Sequence, residues 1–289
     1  MNKQTWINIG LLGFIIILAS YLLLSEKPDE EELPLVSTID GNNIDKIEIT
    51  RKGLDNFSFE KEEADWFMRS PLTFKANNAR INAMLRLLKS ESHAQLDPGQ
   101  NPLERFALAD PDIIMKLNEY EFRFGNTDAI DQRRYVLFNN TIHLTNDFLY
   151  QQLTTNAAFF ADTKLLPEGF KINAIQFPDN ELNKFDDQWQ LQKLMDISPT
   201  QLQRLVNSWE NAVAVSASVY KAPETESFIT VSGADESILK FVIVGTEPHL
   251  ILGRKDLGIQ YHMGSDEADK LLLKENPPIE PAPGLIEPE

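Results

Sequence analysis

Ile44-Asp45-Lys46-Ile47-Glu48-Ile49-Thr50, then Phe57-Ser58-Phe59, then Trp66-Phe67-Met68, then a helical pattern over residues 76–88: this stretch decides the fold. Ile47 and Ile49 alternate with Lys46, Glu48 and Thr50, the period-two pattern of a half-buried strand. Phe57 and Phe59 mark a second strand. Glu62-Glu63-Ala64-Asp65 reads as a turn, and Trp66 opens a third short strand. Across 76–88, Ile81, Leu85 and Leu88 recur at helical spacing, with Met84 and Leu87 widening the apolar stripe. After a connection over 91–111, residues 113–117 and 120–124 read as a hairpin. Residues 135–138 and 141–144 read as another, across Asn139-Asn140, which tolerate positive φ.

The same order returns downstream. Ile172, Ile175 and Phe177 mark a strand, Asp186-Asp187-Gln188 a turn, and Trp189-Gln190-Leu191 a short strand that opens as Trp66 does. Ser198-Pro199 starts a helix, with Ser as N-cap and Pro at the first helical position. Its apolar face is Leu202, Leu205, Val206 and Trp209. Strands follow at 228–231, 239–244, 250–252 and 259–263. Ile47 and Ile175 are 128 residues apart, and Trp66 and Trp189 are 123 apart. Two tandem units of about 120 residues with unequal loops account for that drift. Each unit reads as strands, one amphipathic helix, then four strands. The expected class is α+β, two repeats that each cover a largely antiparallel sheet with one helix.

Outward from this core, residues 6–24 carry no charge. Nineteen helical residues cover roughly 28 Å, close to the ~30 Å hydrocarbon core of a bilayer. Trp6 and Tyr21 stand near the ends, where amphipathic rings favour the interface. A signal peptide cleaved near Leu18-Ala19-Ser20 is the competing reading, but the apolar run continues through Leu22, Leu23 and Leu24. Lys3 precedes the run and acid follows it, which favours a cytoplasmic amino end and an exported bulk. The expected organisation is a membrane anchor at 1–25, an acidic linker at 26–43, unit one at 44–153 and a connection at 154–169. Unit two takes 170–273, and a Pro/Glu-rich disordered tail takes 274–289. In a bacterium this is a single-pass inner-membrane protein with its bulk in the periplasm.

Composition removes several function classes. A net charge of −17 in 289 residues argues against nucleic-acid binding, which needs clustered Lys and Arg. The absence of Cys excludes disulfides, thiolate catalysis and Cys-ligated metals. There is no P-loop, dinucleotide fingerprint or nucleophile elbow.

Several residues are candidates for chemistry. His143 and His262 fall at similar places in the last strand of each unit, so a shared metal site competes with ordinary strand hydrogen bonds. Glu60, Glu62, Glu63 and Asp65, and the pair Asp186-Asp187, offer acid–base chemistry, but their polar, turn-like settings favour a solvated face. Trp66 and Trp189 are expected in the core rather than stacking on a ligand. Arg133-Arg134 could bind a carboxylate or phosphate, against local pairing with Asp128 and Asp131. No catalytic, cofactor-binding or metal-binding residue is assigned.

The anchor, the strand–turn–Trp, the helix and Arg105-Phe106-Ala107-Leu108-Ala109-Asp110-Pro111 together resemble a bacterial family, domain of unknown function 4340. The heptapeptide is similar to a Y-G-L-x-x-P element of that family, with Phe106-Ala107 standing where the pattern has Tyr-Gly. Gly125 and Arg134-Tyr135-Val136 follow in the same order. The resemblance implies a role beside gliding-type ABC transporter components and carries over no catalytic residue. The expected function is therefore a non-enzymatic, membrane-anchored accessory or binding subunit of a membrane complex, with a protein partner and no cofactor. The alternatives are a cell-envelope enzyme using acidic residues and a periplasmic tether or assembly factor.

Overall fold

Alternating patterns become strands in both expected units, and those strands bury their apolar face. The computed structural model describes residues 3–24 and 32–273, except the side chains of residues 3, 5, 8, 9 and 21–24. Residues 1, 2 and 25 of the expected anchor, residues 26–31 of the acidic linker and the whole 274–289 tail, including the expectation of disorder there, lie outside the described residues. A first helix, α1 (Lys3–Leu24), is 22 residues long. Among the described residues, no helix is long and apolar enough to cross a membrane.

The first sheet is built from β1 (Lys46–Arg51), β2 (Phe57–Glu62), β3 (Asp65–Ser70) and β4 (Phe74–Lys75). Helix α2 (Asn78–Leu85) and β5 (Ala94–Leu96) come next. Then follow β6 (Ile113–Leu117), β7 (Tyr120–Thr127), β8 (Arg134–Phe138), β9 (Thr141–Thr145) and the short α3 (Tyr150–Leu153). The second sheet uses β10 (Ile172–Gln176), β11 (Glu181–Phe185) and β12 (Gln188–Leu191), then α4 (Pro199–Glu210) and β13 (Ser216–Val219). Strands β14 (Phe228–Gly233), β15 (Ile238–Gly245), β16 (Ile251–Arg254) and β17 (Ile259–His262) complete it, followed by α5 (Glu267–Leu271).

Both sheets are antiparallel throughout. The nine strands of the first run β4-β3-β2-β1-β6-β7-β8-β9-β5, and the eight of the second run β12-β11-β10-β14-β15-β16-β17-β13. Without β4, the two orders correspond strand for strand, and α2 and α4 fall at the same point in each.

One apolar cluster draws on both sheets and the segment between them. Ile47, Ile49, Phe57 and Phe59 face Ile81 and Met84 of α2 and Leu87 and Leu88 just after it. The rings of Phe57 and Phe59 meet Phe160 edge-on at 5.6 and 5.2 Å. In the second sheet Leu202, Leu205, Val206 and Trp209 are the buried residues of α4. Trp209 lies 5.5 Å from Phe241, and its Nε1 donates to the Leu271 carbonyl at 2.9 Å, so the indole buries no unpaired donor.

Four expectations need correction. The first helix is shorter than 76–88, because Asn77 caps it by accepting from the backbone N–H of Ala79 and Arg80, and residues 86–89 tighten into a 3-10 turn. Five strands, not four, follow each helix. β5 and β13 were hidden in stretches with no clean alternation, and each returns to pair with the last strand of its sheet. The linker does not stay outside: Val36 is buried, and its N–H donates to Ser90 O at 2.8 Å. The 154–169 connection is likewise structural, since Ala158, Phe160, Ala161 and Leu165 are in the core.

Candidate functional site

The ends of a sheet carry unpaired backbone groups, so what covers them is a functional question. The connection covers two of the four edges. Beside β4, Asp162 N–H donates to Lys75 O at 2.9 Å and Asn77 N–H to Phe160 O at 2.7 Å. Three residues on, Ala214 N–H donates to Thr163 O at 2.8 Å and Leu165 N–H to Ala212 O at 3.1 Å, just before β13. The chain thus laces the β4 edge to the β13 edge. The outer ends of this array are β5, only three residues long, and β12.

The β12 edge is built by a tight hairpin. Asp186 and Asp187 both take positive φ, 46° and 61°, as a two-residue turn whose twist matches the strands requires. Phe185 pairs with Gln188 across that turn, so the alternation of the ladder points the N–H and C=O of Trp189 and Leu191 away from β11. In the first sheet the corresponding edge, that of β3, is covered by β4 through Phe67↔Lys75 and Met68↔Phe74. In the second, the segment after β12 is drawn aside by Asn180, whose Oδ1 accepts from Lys193 N–H at 2.9 Å. Among the described residues no strand pairs with the outer side of β12. Two apolar side chains flank it, Phe185 and Leu194, the latter wholly exposed.

His143 and His262 do not form a common site. His143 lies opposite the buried core residue Val136, so it points to the core side of the first sheet. In β17 it is Tyr261 that faces the core, opposite Leu252, and His262 therefore points to the reverse face. His143 Nδ1 is 3.0 Å from Ser92 Oγ, and burial pushes its pKa below the usual value, with the Phe138 backbone opposing. Burial tops the causes that lower His262 as well, with a smaller repulsion from His249.

What His262 meets was missed in the sequence. Its Nε2 is 2.8 Å from Ser218 Oγ on β13, and its Nδ1 is 3.2 Å from His249 Nε2. His249 precedes β16 and His262 ends β17, so the hairpin register that sets Ile251 opposite His262 also sets the two imidazoles side by side. His249 stands two residues before Ile251, the direct partner of His262, so the two imidazoles are diagonal neighbours, and no equal count from the turn marks them in the sequence.

Glu60, Glu62, Asp65 and Asp187 among the acidic candidates are paired. Arg69 engages Glu60 at 3.3 Å and also Glu62. Lys75 Nζ sits 2.7 Å from Asp65 and, with Asn78, holds that carboxyl below the usual range. Lys184 is 3.0 Å from Asp187. Arg133 pairs with Asp131 at 2.8 Å, as local pairing requires. Arg134 departs from that expectation: it makes a bidentate pair with Asp147 at 2.9 and 2.8 Å and lies 3.5 Å over the Tyr150 ring. Trp66 and Trp189 are both buried.

A groove of about 680 Å³ runs between α4 and α5, floored by Leu202, Leu205 and Leu272, with Arg204 and Asn207 on its wall. Among the described residues no three His, Asp or Glu side chains converge as a metal-ligand group.

A family model described as a domain of unknown function, DUF4340, matches residues 66–233, more than half of the chain. The match runs from Trp66 in β3 to the end of β14, so it includes α2, the 105–111 element, the connection, β12 and α4. No curated protein and no solved structure matches the chain.

Proposed function

The chain belongs to the DUF4340 family, and from that premise we propose that it is a membrane-anchored accessory subunit that binds another protein and catalyses no reaction. The open β12 edge carries this reading. An exposed strand edge is a template for an added strand, and main-chain hydrogen bonds then supply affinity while flanking pockets and side chains supply selectivity. Here the donors of Trp189 and Leu191 point outward, and the same hairpin region exposes the apolar side chains of Phe185 and Leu194.

The two sheets are, in this reading, a tandem duplication, supported by their common strand order and by a Trp at the second position of β3 and of β12. The first copy covers its β3 edge with its own β4; the second leaves that place to a partner. Helix α1 is the anchor. It contains the uncharged run 6–24, and the exposed Trp6, Phe14, Ile15, Leu12 and Ile16 stand on successive sides round the helix. The amino end is cytoplasmic and the sheets stand in the periplasm of a bacterial inner membrane, within a complex such as an ABC-type transporter. Confinement to one leaflet raises the effective concentration of a partner in the same membrane, so a short edge suffices for binding.

The test places a photo-crosslinking residue at Gln190 in the full-length protein in native membranes, with Glu48 on the open face of β1 as control. One membrane-complex component should crosslink from Gln190 and not from Glu48. Leu191→Pro removes an outward donor without touching the β11 ladder, and should abolish that crosslink while the protein stays folded. Equal crosslinking from both positions, or full complementation by a freely soluble form lacking residues 1–25, would overturn the reading.

A further inference from the structure

We propose that His249 and His262 form a binding site for a divalent transition-metal ion, Cu²⁺ or Zn²⁺, on the reverse face of the second sheet. The inter-nitrogen distance is the first support. Two imidazole nitrogens bound at about 2.0–2.1 Å to one tetrahedral metal stand roughly 3.3 Å apart, and slightly closer in a square-planar arrangement. His249 Nε2 and His262 Nδ1 are 3.2 Å apart. A metal can replace the proton between them with small side-chain rotations.

The surroundings of His262 provide the second support. A ligating imidazole needs its other ring nitrogen held as a donor, which fixes the tautomer and aims the lone pair. Ser218 Oγ lies 2.8 Å from Nε2, placed to accept an N–H there, and in that tautomer the Nδ1 lone pair is directed at His249. The backbone beneath is rigid. His262 is laddered on both sides, to Ile251 of β16 and Ser216 of β13, and Met263 N–H donates to Leu250 O at 2.9 Å beside His249. Both imidazoles are half-exposed, so an ion can reach them. With two protein ligands the site is open, and water or a partner's carboxylate completes the coordination. Such a site binds reversibly, and Cu²⁺ should bind more tightly than Zn²⁺.

The experiment titrates the full-length protein in detergent micelles with Cu²⁺, read by electron paramagnetic resonance, and with Zn²⁺, read by calorimetry. One equivalent should bind, with a spectrum showing two nitrogen ligands. His249→Ala and His262→Ala should each weaken binding at least about tenfold and lose the two-nitrogen signature. Ser218→Ala should weaken binding by about tenfold with two nitrogens retained. His93→Gln, just before β5, should change nothing. Melting curves without metal establish that each variant is folded; if His262→Ala is not, the loop variant His249→Ala decides. An all-oxygen or one-nitrogen spectrum, or unchanged binding in folded His249→Ala, would overturn the proposal by assigning the ion to surface carboxylates.

Discussion

Gly125 in β7 lies against the carbonyl oxygen of Phe106, so closely that a Cβ at position 125 would overlap that oxygen. The contact ties the 105–111 element to a glycine of β7. The 3-10 turn Leu103–Phe106 ends with Ala107 in the left-handed region, φ 56°, and Leu108 N–H closes back to Leu103 O at 2.9 Å. That reversal lays Phe106 and Leu108 over Ile142 on the reverse face of the first sheet, with the Phe106 ring 4.6 Å from Tyr135. The sheet thereby gains a second, smaller core, and the absent Cβ is what lets the turn approach.

Ala107→Gly should stabilise the protein. A left-handed Ala costs roughly 1–2 kcal/mol, while the added glycine freedom in the unfolded chain takes back about 0.4–1 kcal/mol. The net expectation is a gain of roughly 0.5–1 kcal/mol, read as a higher urea midpoint at unchanged slope. A drop in the midpoint would mean that the turn carries no backbone strain.

Gly125→Ala should act in the opposite direction. The methyl meets a backbone oxygen, which moves only if the whole turn lifts from the sheet, and overpacking of this kind costs about 1–3 kcal/mol. Loss of the Phe106–Tyr135 contact should show in the near-ultraviolet circular dichroism.

Trp189→Ala tests burial in the second sheet. Removing a buried Trp costs about 3–5 kcal/mol, and Trp189 is 8% exposed. An unaltered melting temperature would place the indole on the surface and revive a stacking role.

Helix α4 begins with a reciprocal cap: Ser198 Oγ accepts from Gln201 N–H, and Gln201 Oε1 accepts from Ser198 N–H at 2.9 Å. Ser198→Ala should cost about 1 kcal/mol, and Gln201→Ala less, in equilibrium unfolding.

Stability should fall on acidification through the histidine range. The folded pKa of His143 lies below the usual 6.5, so the unfolded chain takes up a proton that the folded chain refuses. The contribution is whole above about pH 6.5 and is lost as pH falls toward the folded value; His262 acts in the same direction. Unfolding free energies from about pH 8 to 5 should slope less in His143→Gln than in the parent protein. Parallel slopes would show that His143 titrates alike in both states.

Much of the fold was legible because it rests on local pattern. Ile47 and Ile49, or Leu202, Leu205 and Trp209, state their element by spacing alone, and Asn139-Asn140 state their turn by tolerance of positive φ, 47° and 57° in the structure. β5 and β13 were not legible. Ala94-Gln95-Leu96 and Ser216-Ala217-Ser218-Val219 carry little apolar contrast, and they become strands because β9 and β17 offer them an edge. The candidate sites were less legible still. Arg134 reaches Asp147, two residues past its hairpin partner Thr145, and Ser92 meets His143 from 51 residues away; side-chain period marks neither contact.

By itself the sequence determined the element types, the recurrence of a Trp-opened strand and a capped helix, the apolar amino-terminal run and the absence of Cys and of a P-loop or dinucleotide motif. These follow from side-chain periodicity and composition, which need no partner in space. Only the tertiary structure decided which edges are covered. The outward donors of β12 are open because Asn180 draws the following segment aside, and the β3 edge is closed because Phe74 and Lys75 return to it. The tertiary structure also decided that His262 meets His249 and not His143. A strand places alternate residues on opposite faces, and which face is the core is settled by packing between elements distant in the chain.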